Sequence, residues 1–538
     1  MSTISHKALE EKAEAYLAFM AEHFPVMSAS DEFIFFPRAE GSFKYCGEME
    51  DLSGELVAEG IELSGKTLSY LDSLDFDKEN DLDIEIDAWL LRIHARNYLR
   101  VFETEGIHLY DPSIYFKVAT HGLVMAADQP VSLAGRLERA VKLFQCGGKQ
   151  LVSTTALKLE QSLVWSSNFM AFLGELSAEL GIEESSELHA LLDAVSSFRS
   201  RLEHLRISSF VPESLGPQRY SALIEEAFGL RESPEELYDV LVRERQRLTL
   251  NLQAAAVRTG HHAYEWQVLA SDPPAAGWKH REPVEWYRDE LGRLVSWLAE
   301  HQETTDIDTS LIPEIKPMPG YMRGLRTSAS YASSAGTDRR GVFYIGSDGP
   351  AKEPDSRLAA HADYRYITAH ETFPGHHHLD TVRRNLDSPI RRQSENALFY
   401  EGWACWAEQR MVDLGYFFRP NEQMCIERRK LQRCVRSACE LGIHLGTLND
   451  MEAASMLEEI GIRIDPAEQL VRQYRCQPGY QLTYTIGRLK IERLVEKYKS
   501  AAGTEDELYR RLLSAGEITF DLLERHLERC FGPGEHGA

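Results

Sequence analysis

The chain has 538 residues, 43% of them hydrophobic, with 59 basic against 84 acidic side chains and a formal charge of −25. That balance argues against a nucleic-acid backbone or an anionic membrane as the main partner, since both need a positive contact face, and it suits neutral or cationic small substrates. No apolar run is long enough to span a bilayer, and the eight cysteines include no C-x-x-C pair, so neither a disulfide framework nor a cysteine zinc site is expected.

The elements read in chain order are mostly helical. Residues 1–20 lack the basic start and continuous apolar core of a signal peptide, so the cytoplasm is the expected compartment. Apolar positions at helical spacing predict a first helix over 5–24, and the acidic stretch 49–87 predicts helices with solvated outer faces. The pattern from Leu151 to Leu180 predicts a long helix closed by Gly181. Ser233-Pro234-Glu235-Glu236 is a capped helix start, and that helix should run to about Thr259, before Gly260. Residues 304–341, rich in Pro, Gly and Ser, read as loops and turns, whereas Gly341-Val342-Phe343-Tyr344-Ile345-Gly346 is the best strand candidate. Further helices are predicted over about 364–374, 395–414 and 423–443. A later one carries Tyr484, Gly487 and Ile491 on one face, and the last covers 517–529. We divide the chain into an N-terminal helical lobe with a connecting segment, 1–330, and a C-terminal lobe, 331–538.

The chemistry concentrates in His370-Glu371-Thr372-Phe373-Pro374-Gly375-His376-His377-His378. In a helical H-E-x-x-H, two His one turn apart reach one Zn²⁺ while the Glu faces the water it activates. Here Pro374 occupies the second His position. His376 lies about 240° around a straight helix from His370, while His377 lies on the correct face but about 10 Å along the axis. Proline breaks a helix and glycine tolerates the distortion, so a widened turn at Pro374-Gly375 would swing His376 into the vacant place. Either His376 or His377 is thus the second imidazole, with His376 favoured. The next helix offers Glu401 and Glu408, seven residues apart and on one face. Arg428, Arg429, Lys430, Arg433 and Arg436 follow, with His444 at the end of their helix.

HETFPGHH, YEGWACWAE and PGYQLTYTIGRLKI together resemble a large bacterial family long catalogued as a domain of unknown function. Its members show an HExxPGHH-type signature, an EGWAxYAE segment and a PGQxLxYxIG segment in this order. Tyr480 stands here where that pattern has Gln, which bears on substrate preference more than on chemistry. The family is similar to gluzincin metallopeptidases. The resemblance implies a mainly α, two-lobed zincin-like fold similar to carboxypeptidase Taq-type enzymes, with a deep cleft and a short edge strand or small sheet beside the site.

It also implies a zinc-dependent hydrolase of peptide or peptide-like amide bonds, with one Zn²⁺ or another divalent ion held by His370, His376 and Glu401. Glu371 would be the general base, and Tyr484, or else His444, the donor to the developing oxyanion. His377, Glu408, Tyr474, Tyr480, Arg436 and Tyr344 are candidates for supporting the ligands or touching substrate, and the 341–346 strand would pair with an extended substrate. The partner is a peptide or small amide, with neither nucleic acid nor membrane, and a homodimer is left open. Plainer readings stand beside each of these. Tyr480 and Tyr484, four residues apart, suit core packing, His444 suits a helix end, and a basic cluster such as 428–436 is most often a solvated face. A metal-free helical scaffold with a decayed site and a zinc amidase for non-peptide substrates are the competing functions.

Overall fold

The computed structural model describes residues 6–76, 81–127, 130–208, 214–273, 280–301, 311–322, 329–333, 340–346, 358, 360–462 and 464–532. It is mainly helical, at 72% helix, with two small sheets. The chain forms two compact units. The first comprises 1–213 with 319–326 and 386–395, and the second comprises 214–318, 327–385 and 396–538. The main division therefore falls at 213/214, whereas the sequence pattern placed it at 330/331.

Unit one holds helices α1 (His6–His23), α2 (Gly54–Asp72), α3 (Leu82–Leu99), α4 (Ser113–Ala126), α5 (Pro130–Gln150), α6 (Ala156–Leu180) and α7 (Ser186–Glu203). The long helix α6 begins five residues later than its apolar pattern suggested. Thr155 caps it by accepting the Lys158 N–H, and Ser153–Thr154 instead form strand β1, paired in parallel with β2 (Arg206–Ile207). Gly181, at φ 65°, ends the helix as expected. Aromatic rings fill the core, with Phe116 and Phe144 in contact with each other and each with Phe169 and Phe198.

Unit two carries α8 (Gly216–Phe228), α9 (Pro234–Arg258), α10 (Pro283–His301), α11 (Tyr364–Glu371), α12 (His376–Arg384), α13 (Ala397–Asp413), α14 (Pro420–Leu445), α15 (Asp450–Glu459), α16 (Ile464–Cys476), α17 (Tyr480–Tyr498), α18 (Glu505–Ser514) and α19 (Phe520–Phe531). The Ser233 capping box that starts α9 is complete, with the Glu236 N–H on Ser233 Oγ at 3.2 Å and the Ser233 N–H on Glu236 Oε2 at 2.8 Å. The last helix starts three residues later than its pattern suggested, and Glu517 instead accepts the Asn396 N–H at 3.1 Å.

Residues 304–341, read as loops, contain two strands among the described residues. These are β3 (Glu314–Pro317) and β4 (Ala329–Ala332), which flank β5 (Val342–Ile345) in the order β3-β5-β4. β3 runs parallel to β5 and β4 antiparallel, with Tyr331 opposite Phe343. Four-residue strands containing Pro, Lys and Ala carry too little β-preference to stand out in sequence. Because β5 is central, both of its edges are taken. It cannot receive an extended substrate as the sequence suggested.

Two close contacts position the site. The helix predicted over 364–374 stops at Glu371, leaves helical geometry at 372–375 and restarts as α12. The result is a break between two helices where a widened turn within one was expected. Pro374 has no N–H to continue the ladder, and a Cβ on Gly375 would lie 1.8 Å from the His370 carbonyl oxygen, so only glycine lets the chain turn back this tightly. Helices α13 and α17 meet main chain to main chain at Gly402 and Gly487, where a Cβ on Gly487 would lie 2.0 Å from the Leu398 carbonyl oxygen.

Candidate metal centre

The helix break sets His376 at the start of α12 beside His370 at the end of α11. The two rings lie 4.7 Å apart, edge to face. From α13, Glu401 Oε2 comes within 3.6 Å of Nε2 on both imidazoles. Ligand atoms bound tetrahedrally at ~2.0–2.1 Å stand about 3.4 Å from one another, so the spacing suits one ion. Glu401 Oε2 is also buried with no hydrogen-bond partner, an expensive state for a carboxylate oxygen that receives nothing else. Two imidazoles and this carboxylate form a donor set that fits a divalent metal.

Glu371 also reaches this cluster, since its carboxylate and the His370 and His376 nitrogens lie within 4.8 Å of one another. Its Oε2, however, accepts the Tyr331 N–H at 2.8 Å. Its bound oxygen distinguishes it from Glu401, whose facing oxygen has no such partner.

A layer of charged groups orients these donors. Glu408 Oε1 lies 3.0 Å from His370 Nδ1, closer than Arg433 Nη2 at 3.4 Å, so Nδ1 donates to the carboxylate and Nε2 turns its lone pair toward Glu401 and His376. Arg429 grips Glu408 through two bonds of 2.9 Å, and Arg433 adds one of 2.7 Å. Burial pushes the Glu408 carboxyl up, but these guanidiniums outweigh it and hold it well below the usual range. Glu401 is likewise held low against its burial by the two imidazoles, and His370 is raised against its burial by Glu401 and Glu408. His376 stacks on the Tyr400 ring at 4.0 Å.

Helix α17 closes the other side. Tyr480 donates to Glu401 Oε1 at 2.8 Å, which leaves Oε2 for the imidazoles, and Tyr484 donates to the Tyr480 oxygen at 3.3 Å. Withdrawal from water raises both phenols, so both keep their protons at neutral pH. The guanidiniums of Arg433 and Arg436 lie 5.8 and 5.5 Å from the Tyr484 ring centre. Arg436 adjoins Tyr474 and, among the described residues, pairs with no carboxylate.

The basic cluster is therefore not a solvated face. Arg428 and Arg429 pair with Asp363, and Lys430 with Glu427. Three other candidates lie elsewhere. His444 sits eleven residues beyond Arg433, about 16 Å along α14. Both its nitrogens are engaged there, Nδ1 by the Leu215 N–H at 3.2 Å and Nε2 by the Tyr474 carbonyl at 2.9 Å, so it has no free donor for an oxyanion. His377 contacts the Tyr331 hydroxyl and the Leu311 carbonyl, and burial keeps it neutral. Tyr344 stands on the half-buried face of the central strand β5. Sequence reasoning missed Tyr331, in a stretch without pattern, and Tyr400. It did not pair Arg429 and Arg433 with Glu408, although their four-residue spacing lets both reach it.

Two solved structures share this architecture. One, described as a "putative lipoprotein of unknown function" from Shewanella oneidensis, is 14% identical, with 97% of this chain and 99% of that one covered at a TM-score of 0.73. The other, a "putative lipoprotein" from Colwellia psychrerythraea, is 16% identical, with 98% and 100% covered at a TM-score of 0.71. No curated protein matches the chain. The motifs that build the centre lie within residues 41–527, which match a single family model, and the chain belongs to that family, described as bacterial protein of unknown function (DUF885).

Proposed function

We propose that this protein is a gluzincin-type metallohydrolase of peptide or peptide-like amide bonds, with carboxypeptidase-like recognition. The observation that carries the reading is the buried, unbonded Glu401 Oε2, 3.6 Å from two imidazole nitrogens and beside a second carboxylate held by a backbone N–H. His370, His376 and Glu401 would hold the ion. When bound, a zinc-like ion supplies Lewis acidity that activates water near neutral pH and polarises a carbonyl. Glu371, with Oε2 tied to Tyr331, takes the proton of the attacking water on Oε1 and returns it to the leaving amine. Tyr484, protonated and donating to Tyr480 at 3.3 Å, would turn its O–H from Tyr480 to the substrate carbonyl oxygen as that oxygen gains charge. Arg436, a cation without a carboxylate partner among the described residues, suits a substrate carboxylate.

Elemental analysis after zinc loading should find one ion per chain, and His376→Ala should lose it. Glu371→Gln should retain the ion while turnover of a peptide panel falls by about 10²–10⁴-fold. A wild-type protein that binds no divalent ion would end the proposal.

A further inference from the structure

The general base assigned above sits at the last residue of α11, where a helix end is free to fray, and the His376 ligand sits across the break on α12. One residue touches both sides. Tyr331 gives its N–H to Glu371 Oε2 at 2.8 Å, while its buried side chain reaches α12, where the hydroxyl donates to Asp380 Oδ2 at 2.9 Å and lies 3.3 Å from His377 Nδ1. The Tyr331 ring also packs edge to face on His377, 5.5 Å between centres.

The α12 end of this clamp is itself fixed. Asp380 is paired with Arg383 and Arg384, and His377 is held by the Leu311 carbonyl. The ring fits because residue 341 is glycine, since a Cβ there would lie 2.2–2.4 Å from three of its atoms. That gives the opening glycine of the 341–346 strand a role the strand pattern does not explain.

We propose that Tyr331 is the positioning residue of the base. Through its side chain it locks β4 to α12, and through its N–H it holds Glu371 Oε2, fixing the carboxylate beside the His370–His376 pair across the helix break. The inference rests on the hydrolase reading for its catalytic consequence but not for its geometry, and the test separates the two.

Hydrogen exchange is followed at the backbone amides of residues 329–332 in the full-length protein. Tyr331→Phe and Glu371→Ala should each speed exchange at the Tyr331 amide by about tenfold or more, and the double variant should be no faster than the faster single one, because both act on one bond. On the zinc-loaded protein, Tyr331→Phe should lower kcat by about tenfold with KM and zinc affinity held within about twofold. It should do nothing further in a Glu371→Gln background, a pattern that general loosening would not give. If Tyr331→Phe melts early, Gly341→Ala, which displaces the ring and keeps its hydroxyl, replaces it in the same cycle. Additive exchange effects, or protection at Tyr331 unchanged by Glu371→Ala, would overturn the clamp. Coupled exchange in a protein without turnover would leave the clamp standing and remove the hydrolase.

Discussion

Glu371 and Glu401 are carboxylates beside the same two imidazoles, and their neighbours divide the work between them. A backbone N–H holds Glu371, whereas a phenol holds Glu401 by one oxygen and leaves the other bare. Tyr480 therefore touches the proposed ligand Glu401 itself, though it occupies the position where the sequence departs from the expected glutamine. Removing its hydroxyl in Tyr480→Phe frees Glu401 to rotate, and zinc affinity should drop by about 10–100-fold with little change in melting temperature, read by competition with a chelator. A variant that binds zinc as tightly as wild type would assign Tyr480 to packing alone.

At the scale of elements, the break between α11 and α12 does what an unbroken H-E-x-x-H helix would do by winding. Gly375→Ala places a methyl 1.8 Å from a carbonyl oxygen, so the turn must open. The cost should be about 3–5 kcal/mol by denaturant unfolding, with loss of zinc binding. The turn that starts α17 is held differently, by buried Glu440, which accepts from the Tyr220 hydroxyl at 2.5 Å and from the Gly479 and Gln481 N–H groups at 2.6 Å each. Burial pushes Glu440 up to about 7 despite these donors. The folded chain then holds this proton more tightly than the unfolded one, so this residue's contribution to stability falls as pH rises from the ordinary glutamate range to about 7 and is flat above. Denaturation between pH 5 and 8 should show that slope, and Glu440→Gln should flatten it.

What could be read from sequence was local. Ser233 with Glu236 and Gly181 announce helix ends because a cap involves residues three or four apart. The approach of His376 to His370 was legible because glycine and proline mark the break, and Glu401 joined them through its place in the motif that carries the family resemblance. The pairing of β3 and β4 onto β5, the closing of Arg429 and Arg433 on Glu408, and the committed ring of His444 were not legible. Each depends on partners tens to hundreds of residues away, and no local period encodes them.

For the whole molecule, the −25 charge coexists with a buried run of guanidiniums in unit two, two of which close on buried Glu408. An ion bound only by the folded form stabilises it by ~4 kcal/mol at a thousandfold excess over its Kd. Zinc should accordingly raise the melting temperature of wild type, a chelator should reverse this, and His376→Ala should respond to neither. A wild-type melting temperature indifferent to zinc would count against the metal centre.

The glycine-to-glycine crossing of α13 and α17 has a mechanical corollary. With no side chain between the two backbones, no rotamer can absorb a displacement, so the carboxylate on one helix and the phenols on the other shift as a single solid piece. If the proposed ion binds, any adjustment to an ion of different radius would then come from the interrupted α11–α12 side, so that hinge, rather than the packed helices, would set which cations are accepted.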